Sequence, residues 1–335
     1  MKTNLISLDE RIGTRITSLE DSSLHEVLHA AGMDFETETV PMQTFDGDEV
    51  PRRKAIRRTD TNEVLGVVGN KYTPVHNDKM LEPFHRMVQK YGAQYENAGV
   101  IQSGRKCWIS AVLPDTFKLK NRPEDEVQRR IMGFFSHDGT RKNSYLSIAH
   151  RIFCNNQLNI IMDKAMKSKY TVSHTSNWED QWVDSQLGFE TAIALHKEFE
   201  HTANKLDQIP MNVNQMRGFT QQVLPVSYYL DKQKDKDKKK RGVERLQARR
   251  ECIIDLFTNG AGNIGKSRWD ALNAVTEYVD HHNQIKRVDH ETRGRFHAES
   301  RFVNGLISGT GSNTKQLAVS LLSNTKRFKS IASYA

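Results

Sequence analysis

The feature that most constrains the fold is a pair of hairpin signals between residues 95 and 153. Residues 95–101 and 106–112 are β-like and are joined by only four residues, Gln102-Ser103-Gly104-Arg105. Residues 127–135 and 143–153 repeat the plan around Ser136-His137-Asp138-Gly139-Thr140-Arg141. Asp138-Gly139 is a turn signal because glycine takes positive φ at no steric cost. Residues 106–112 alternate, with Cys107, Ile109 and Ala111 facing one way and Trp108, Ser110 and Val112 the other. Before the hairpins, Val64, Leu65, Val67 and Val68 form a strand-like run. Met80, Leu81, Phe84, Met87 and Val88 then mark a helix capped by Asn77 and ending at Gly92. Pro83 lies near enough to its start to be tolerated. A helix is also expected from about Asn155, on Leu158, Ile161, Met162 and Ala165. Strand, helix, two hairpins and helix predict an α+β fold: an antiparallel β-meander with helices on one face, followed by a mostly helical C-terminal part.

The rest of the chain divides around that core. Residues 1–50 hold 3 Lys/Arg against 11 Asp/Glu and predict an acidic N-terminal arm. Its one helix is capped by Ser22 or Ser23 and carries Leu24, Val27 and Leu28. Residues 51–176 are the α+β core. Residues 177–335 read as helical. Trp182, Leu187, Phe189, Ile193, Leu195 and Phe199 mark a long helix ending before Pro210, and further helices fall over 214–223, 243–257 and 269–279 and from Lys315. The Lys/Asp-rich segment 231–242 is expected to be a solvated loop. At 37% hydrophobic residues, the 335-residue chain has enough apolar matter for a real core. No stretch approaches the roughly 20 apolar residues of a membrane span, and the first 20 residues lack the apolar region of a secretory signal. Cys107, Cys154 and Cys252 are widely separated, which argues against a disulfide framework or structural zinc site and fits a cytoplasmic protein.

The net charge is +8, and its basic share is concentrated. Residues 51–151 hold 19 Lys/Arg against 10 Asp/Glu, and residues 232–250 hold 10 against 3. Such a body attracts polyanions through phosphate neutralisation and counterion release. Arg105, Lys106, Arg129, Arg130, Arg141, Lys142 and Arg151 cluster on the hairpins, and Lys164, Lys167 and Lys169 follow them. Trp108 and Tyr145 are interleaved, as stacking platforms for single strands are. These twelve residues are the expected nucleic-acid-binding set. The partner expected is single-stranded DNA, bound and annealed without ATP by a homo-oligomer, either a ring or a filament. The basic body beside an acidic arm invites head-to-tail contacts.

Two other function classes stay open. Residues 260–267, Gly-Ala-Gly-Asn-Ile-Gly-Lys-Ser, fit the P-loop pattern G-x-x-x-x-G-K-S, with Lys266 and Ser267 in the phosphate and magnesium positions. That chemistry belongs to a nucleotide-dependent enzyme. It requires a preceding buried strand, whereas residues 243–257 have helical spacing. A helix–helix connection, with Ser267 capping the next helix, is the expectation. The other class is a mobile-element interaction protein acting on a host nuclease or DNA-binding partner. The 13 histidines include no zincin spacing, and His137-Asp138 falls in a turn, so neither a metal site nor a cofactor is expected. No nucleophile elbow or catalytic triad order appears, so no catalytic residue is assigned.

Several motifs resemble those of a phage and plasmid protein family catalogued as a domain of unknown function. Residues 67–75, Val-Val-Gly-Asn-Lys-Tyr-Thr-Pro-Val, are similar to its V-G-x-x-Y-x-P-V opening. Gly104-Arg105-Lys106-Cys107-Trp108 with Leu113-Pro114-Asp115 resembles its G-G-R-x-W…L-P segment. Ser136-His137-Asp138-Gly139 is similar to its S-H-D-G turn, and residues 151–156, Arg-Ile-Phe-Cys-Asn-Asn, to its R-h-h-C-x-N motif. Residues 269–281 resemble its C-terminal helix signature. The resemblance covers roughly residues 50–325. It implies a phage or mobile-element origin and carries no established activity. The sheet-then-helix order is similar to that of single-strand annealing recombinases, an analogy of architecture alone. Cys154 and Asn156 are assigned to structure.

Overall fold

The computed structural model describes residues 12–17, 19, 21–152, 154–160, 171–283, 299–307, 309–324 and 328. The α+β class holds. Among the described residues, ten strands form two antiparallel sheets. The main sheet has the order β1 (Thr14–Arg15), β5 (Gln94–Ile101), β6 (Lys106–Leu119), β7 (Arg122–Ser136), β8 (Asn143–Arg151). The outer edge of β8 is shared by β9 (Asn156–Asn159) and β10 (Thr171–Val172). The small sheet is β2 (Thr37–Gln43), β3 (Glu49–Arg58) and β4 (Val64–Gly69). The expected hairpins are β5–β6 and β7–β8, in register at Ile101↔Lys106 and Phe134↔Ser144.

The alternation of β6 decides what covers each face. Cys107, Ile109 and Ala111 pack with Ile131 and Phe135 under α1 (Leu24–Ala30) and α2 (Asn77–Tyr91). Trp108 points the other way and packs with Met132, Phe134, Leu146 and Ile148 against Phe302 and the π-helical turn Val303–Ile307. Gly92, at φ 59, ends α2 as the sequence indicates, but Asn77 does not cap it: His76 holds that position, and the Asn77 side chain is taken up by the Met33 carbonyl and His137. A third core joins the far ends of β6 and β7 to α3 (Trp178–Gln208), α4 (Val213–Val223), α6 (Lys236–Asn259), α7 (Arg268–Glu277) and α8 (Thr310–Ser323). Between α4 and α6 lies the single turn α5 (Tyr228–Asp231).

Three further expectations are corrected. Residues 12–35 are no detached arm. Strand β1 pairs with β5, and Ile16, Val27, Leu28, Ala31, Met33 and Phe35 are buried in the α1–α2 core. Ser23 does cap α1, in a capping box with Glu26. No helix opens at Asn155. That residue takes positive φ, 53°, and turns the chain back so that β9 pairs with β8. The remainder of that expected helix lies outside the described residues. The Lys/Asp-rich loop is largely helix: Asp235 caps α6 by accepting from the Lys238 amide at 3.0 Å, and the helix runs on from Lys236.

Candidate nucleic-acid interface

The β5–β6 and β7–β8 turns lie side by side at one end of the main sheet. Antiparallel pairing requires this: Lys106 is opposite both Ile101 and Ser136, and the His137 amide donates to the Arg105 carbonyl at 2.9 Å. Arg105, Lys106, Arg141 and Lys142 therefore come to the same end of the sheet, although each residue of the first Arg/Lys pair is 36 positions from its counterpart in the second. Arg105 and Lys142 are exposed, while Lys106 and Arg141 are half-buried. A cleft of about 320 Å³ opens between the turns and the segment 299–304. Gln102, Lys106, Thr140, Arg141, Ser300 and Asn304 line it, together with the carboxylate-bearing Glu299. Gln102 and Ser103 both take positive φ, 51° and 57°. Non-glycine residues adopt that conformation at a cost and are enriched where a site demands it.

The Asp138 carboxylate holds the second turn in shape. It accepts from Ser136 Oγ at 2.9 Å, from the Thr140 amide at 2.9 Å and from Thr140 Oγ1 at 2.6 Å. Lys106 Nζ donates to its other oxygen at 2.5 Å. Burial opposes its charge, but the hydrogen bonds from Lys106 and Thr140 outweigh that, and its carboxyl lies below the usual range. Lys106 thus sits in the cleft as half of an ion pair, and the exposed positive charge beside it is that of Arg105 and Lys142.

His137 turns away from the cleft into the core. The Asn77 amide nitrogen donates to the Met33 carbonyl at 3.0 Å, leaving Asn77 Oδ1 to accept from His137 Nε2 at 2.8 Å. His174 stacks on Tyr72 with 4.6 Å between ring centroids, and the Tyr72 hydroxyl donates to the His137 carbonyl at 3.4 Å. Burial pushes His137 down to about 3 and His174 down to about 4. Both rings are neutral wedges that seat the turn. Strand β4 presses on the turn from outside, where a Cβ on Gly66 would meet the Asp138 carbonyl oxygen at 2.5 Å. His137-Asp138 is turn chemistry, as its position in the sequence suggests. Among the described residues, no group of three or more His, Cys, Asp and Glu is placed to hold a metal.

The other expected site residues are elsewhere. Trp108 is fully buried and Tyr145 is 3% exposed, with its hydroxyl donating to the Met80 carbonyl at 2.6 Å. Neither offers a face to a base, which corrects the stacking expectation: both rings were needed to fill the sheet's two faces. Arg130 is buried and donates to Glu96 at 2.5 Å. Arg129 donates to Glu200 at 2.9 Å. Arg151 donates to both Asp125 oxygens at 2.6 Å, and to the Ala261 and Gly262 carbonyls at 3.0 and 2.8 Å. These three arginines tie the sheet to its own carboxylates and to the helical part, rather than to a ligand. Cys154 and Asn156 are buried beside them, as structural residues should be. Lys164, Lys167 and Lys169 lie outside the described residues.

The P-loop-like segment is a helix–helix connection. Helix α6 precedes it, and Ser267 caps α7 in a capping box with Asp270. The loop does wrap an anion, but an internal one. The Ile264, Lys266 and Ser267 amides donate to Asp270 at 3.3, 2.9 and 3.0 Å, and Arg122 donates to it at 2.6 Å. Two exposed features escaped the sequence reading. The N-terminal part of α6 is largely exposed, with eight Lys/Arg and two Asp/Glu over 236–250. The β2–β3 hairpin carries Phe45, fully exposed, at its tip. An Asp235 cap ahead of alternating charges was the available sign of the helix; the turn-forming Asp46-Gly47-Asp48 was the sign of the hairpin.

No helix among the described residues is long and apolar enough to cross a membrane. No curated protein and no solved structure matches the chain. One family model does, over residues 64–299, a span that runs from β4, through both hairpins and the anion-wrapping loop, to the edge of the cleft: the chain belongs to the family of the domain of unknown function DUF932.

Proposed function

We propose that this protein binds single-stranded DNA by its sugar–phosphate backbone at the cleft between the two turns, and promotes annealing without a nucleotide cofactor. The observation that carries the reading is a cleft of about 320 Å³ lined by Lys106 and Arg141, with the exposed Arg105 and Lys142 adjoining them on the same two turns. That volume is at the low end of small-ligand sites, roughly 300–1,000 Å³. It suits about one nucleotide unit and is too small for a duplex. Gln102, Thr140, Ser300 and Asn304 add neutral hydrogen-bonding groups that suit phosphate and sugar oxygens. With Trp108 and Tyr145 buried, the grip is on the backbone and the bases stay outward, which is the arrangement pairing with a second strand requires.

The test is a salt titration of a fluorescent oligothymidine and of a duplex of equal length. Single-strand affinity should fall with salt at a slope of about −0.7 per phosphate contacted. Replacing Arg105, Arg141 and Lys142 with Ala should flatten that slope by about 2. The Arg129→Gln and Arg130→Gln variants should bind with an unchanged slope, since their guanidinium groups are spent on Glu200 and Glu96. An unchanged slope in the triple variant, or equal affinity for the duplex, would remove the cleft from the reading.

A further inference from the structure

The tip of the β2–β3 hairpin and the N-terminal part of α6 are both largely exposed, and their chemistry is complementary. In the hairpin, Thr44 to Asp48 form a tight turn. The Thr44 amide donates to the Asp48 carbonyl at 2.7 Å, the Gly47 amide to the Thr44 carbonyl at 3.1 Å, and the Asp48 amide to Thr44 Oγ1 at 3.1 Å. Gly47 takes φ +90, the position that closes a three-residue hairpin loop. The turn is thus pre-ordered, and it holds Phe45 entirely in solvent, between Asp46, Asp48 and Glu49, which are also exposed. A large aromatic side chain fully in water is the kind of group that anchors an interface. Its three carboxylates disfavour a phosphate partner and favour a basic protein surface.

Such a surface exists on the same chain. Over residues 236–250, about 22 Å of helix at 1.5 Å per residue, Lys236, Lys240 and Val243 share a face at i, i+4 and i+7 spacing. All three are exposed, Val243 at 44%. An apolar contact flanked by lysines matches an apolar tip flanked by carboxylates. We propose that the hairpin of one copy docks, Phe45 first, on the Lys236–Lys240–Val243 face of a second copy. The two surfaces differ, so the contact is head-to-tail and each copy can both give and receive it. Such an interface propagates to a ring or a filament according to whether the rotation closes. The proposal does not rest on the nucleic-acid reading, whose cleft residues it leaves untouched.

Sedimentation velocity of the full chain tests it. The wild type should assemble at micromolar concentration, and the assembly should weaken from 50 to 500 mM salt because the pairs are exposed. Phe45→Ser should weaken assembly by roughly tenfold or more. A hairpin reversed in charge by Asp46→Lys and Asp48→Lys, or a helix reversed by Lys236→Glu and Lys240→Glu, should each give monomers. Mixing those two variants should restore assembly, because each then supplies the surface the other's reversed one needs. A monomeric wild type, unchanged assembly by Phe45→Ser, or a mixture that stays monomeric would overturn the proposal. A loss of oligothymidine affinity with unchanged mass in Phe45→Ser would assign the tip to nucleic acid instead.

Discussion

The charged residues of this protein do two jobs that look the same in one dimension. Arg130 and Arg105 are both arginines beside a β-hairpin turn or strand, yet one is 3% exposed against Glu96 and the other is open to solvent. The histidines divide in the same way. His137, His174 and His196 are buried neutral; desolvation is the largest cause in each, and it pushes His196 down to about 3. Their unfolded value is about 6.5. Below that pH the unfolded chain takes up protons that the folded rings refuse, so stability is complete above pH 6.5 and is lost as pH falls from there toward 3–4. The slope is about 1.4 kcal/mol per pH unit for each such ring inside the window. Urea midpoints should drop measurably between pH 7.5 and 5, before the carboxylates titrate, and His174→Gln should reduce the drop. A flat profile over that range would mean these rings are charged or solvated.

At the scale of elements, the connection between α6 and α7 shows how a motif can be satisfied by the protein itself. Asp270 takes the amides that a P-loop offers to phosphate, and Arg122 and Ser267 complete its shell. Lys266, the residue a P-loop would need, is exposed. Lys266→Ala should therefore change stability by no more than about 0.5 kcal/mol. Asp270→Ala should cost about 3 kcal/mol, because it breaks a buried ion pair and leaves the loop amides without their acceptor, while Arg122 keeps Asp207 at 2.8 Å. Thermal denaturation of the two variants distinguishes the internal anion from a nucleotide site, where the order of the two effects on function would be reversed. The same scale explains α6. Its first half makes few tertiary contacts, so it depends on local terms such as the Asp235 cap. Asp235→Ala should lower helicity near residue 236 and cost about 1 kcal/mol, readable as faster amide exchange over 236–242 with the rest of the chain unchanged.

For the whole molecule, the acidic first 50 residues matter more than their charge suggests. They supply β1, α1 and six buried apolar residues to the core over the main sheet, and β2 and part of β3 to the small sheet. Deleting residues 1–36 should abolish a cooperative melt rather than release a tail, since Phe84, Tyr95 and the α2 face would lose their cover. A truncated chain that melts cooperatively near the wild-type temperature would restore the picture of a detached arm.

The pieces read correctly from sequence were those set by neighbours along the chain. The two hairpins, α2 with its Gly92 terminus, a serine cap on α1 narrowed to Ser22 or Ser23, and the Ser267 cap depend on turn chemistry, 3.6-residue spacing and side chains within a few positions of each other. The sides to which Cys107 and Trp108 point were legible as well, because alternation along a strand is local. What covers each side was not. Phe302 reaches Trp108 from 194 positions away (302 − 108), and no periodicity records that. The same limit governed the candidate site. Arg129, Arg130 and Arg151 read as available cations until the fold brought in Glu200, Glu96 and Asp125, at separations of 71, 34 and 26 residues. Arg105 and Lys142 stayed exposed because the turns that carry them face away from the cores. Charge is a property of the residue, but whether that charge is spent is decided by which carboxylate the tertiary structure delivers to it.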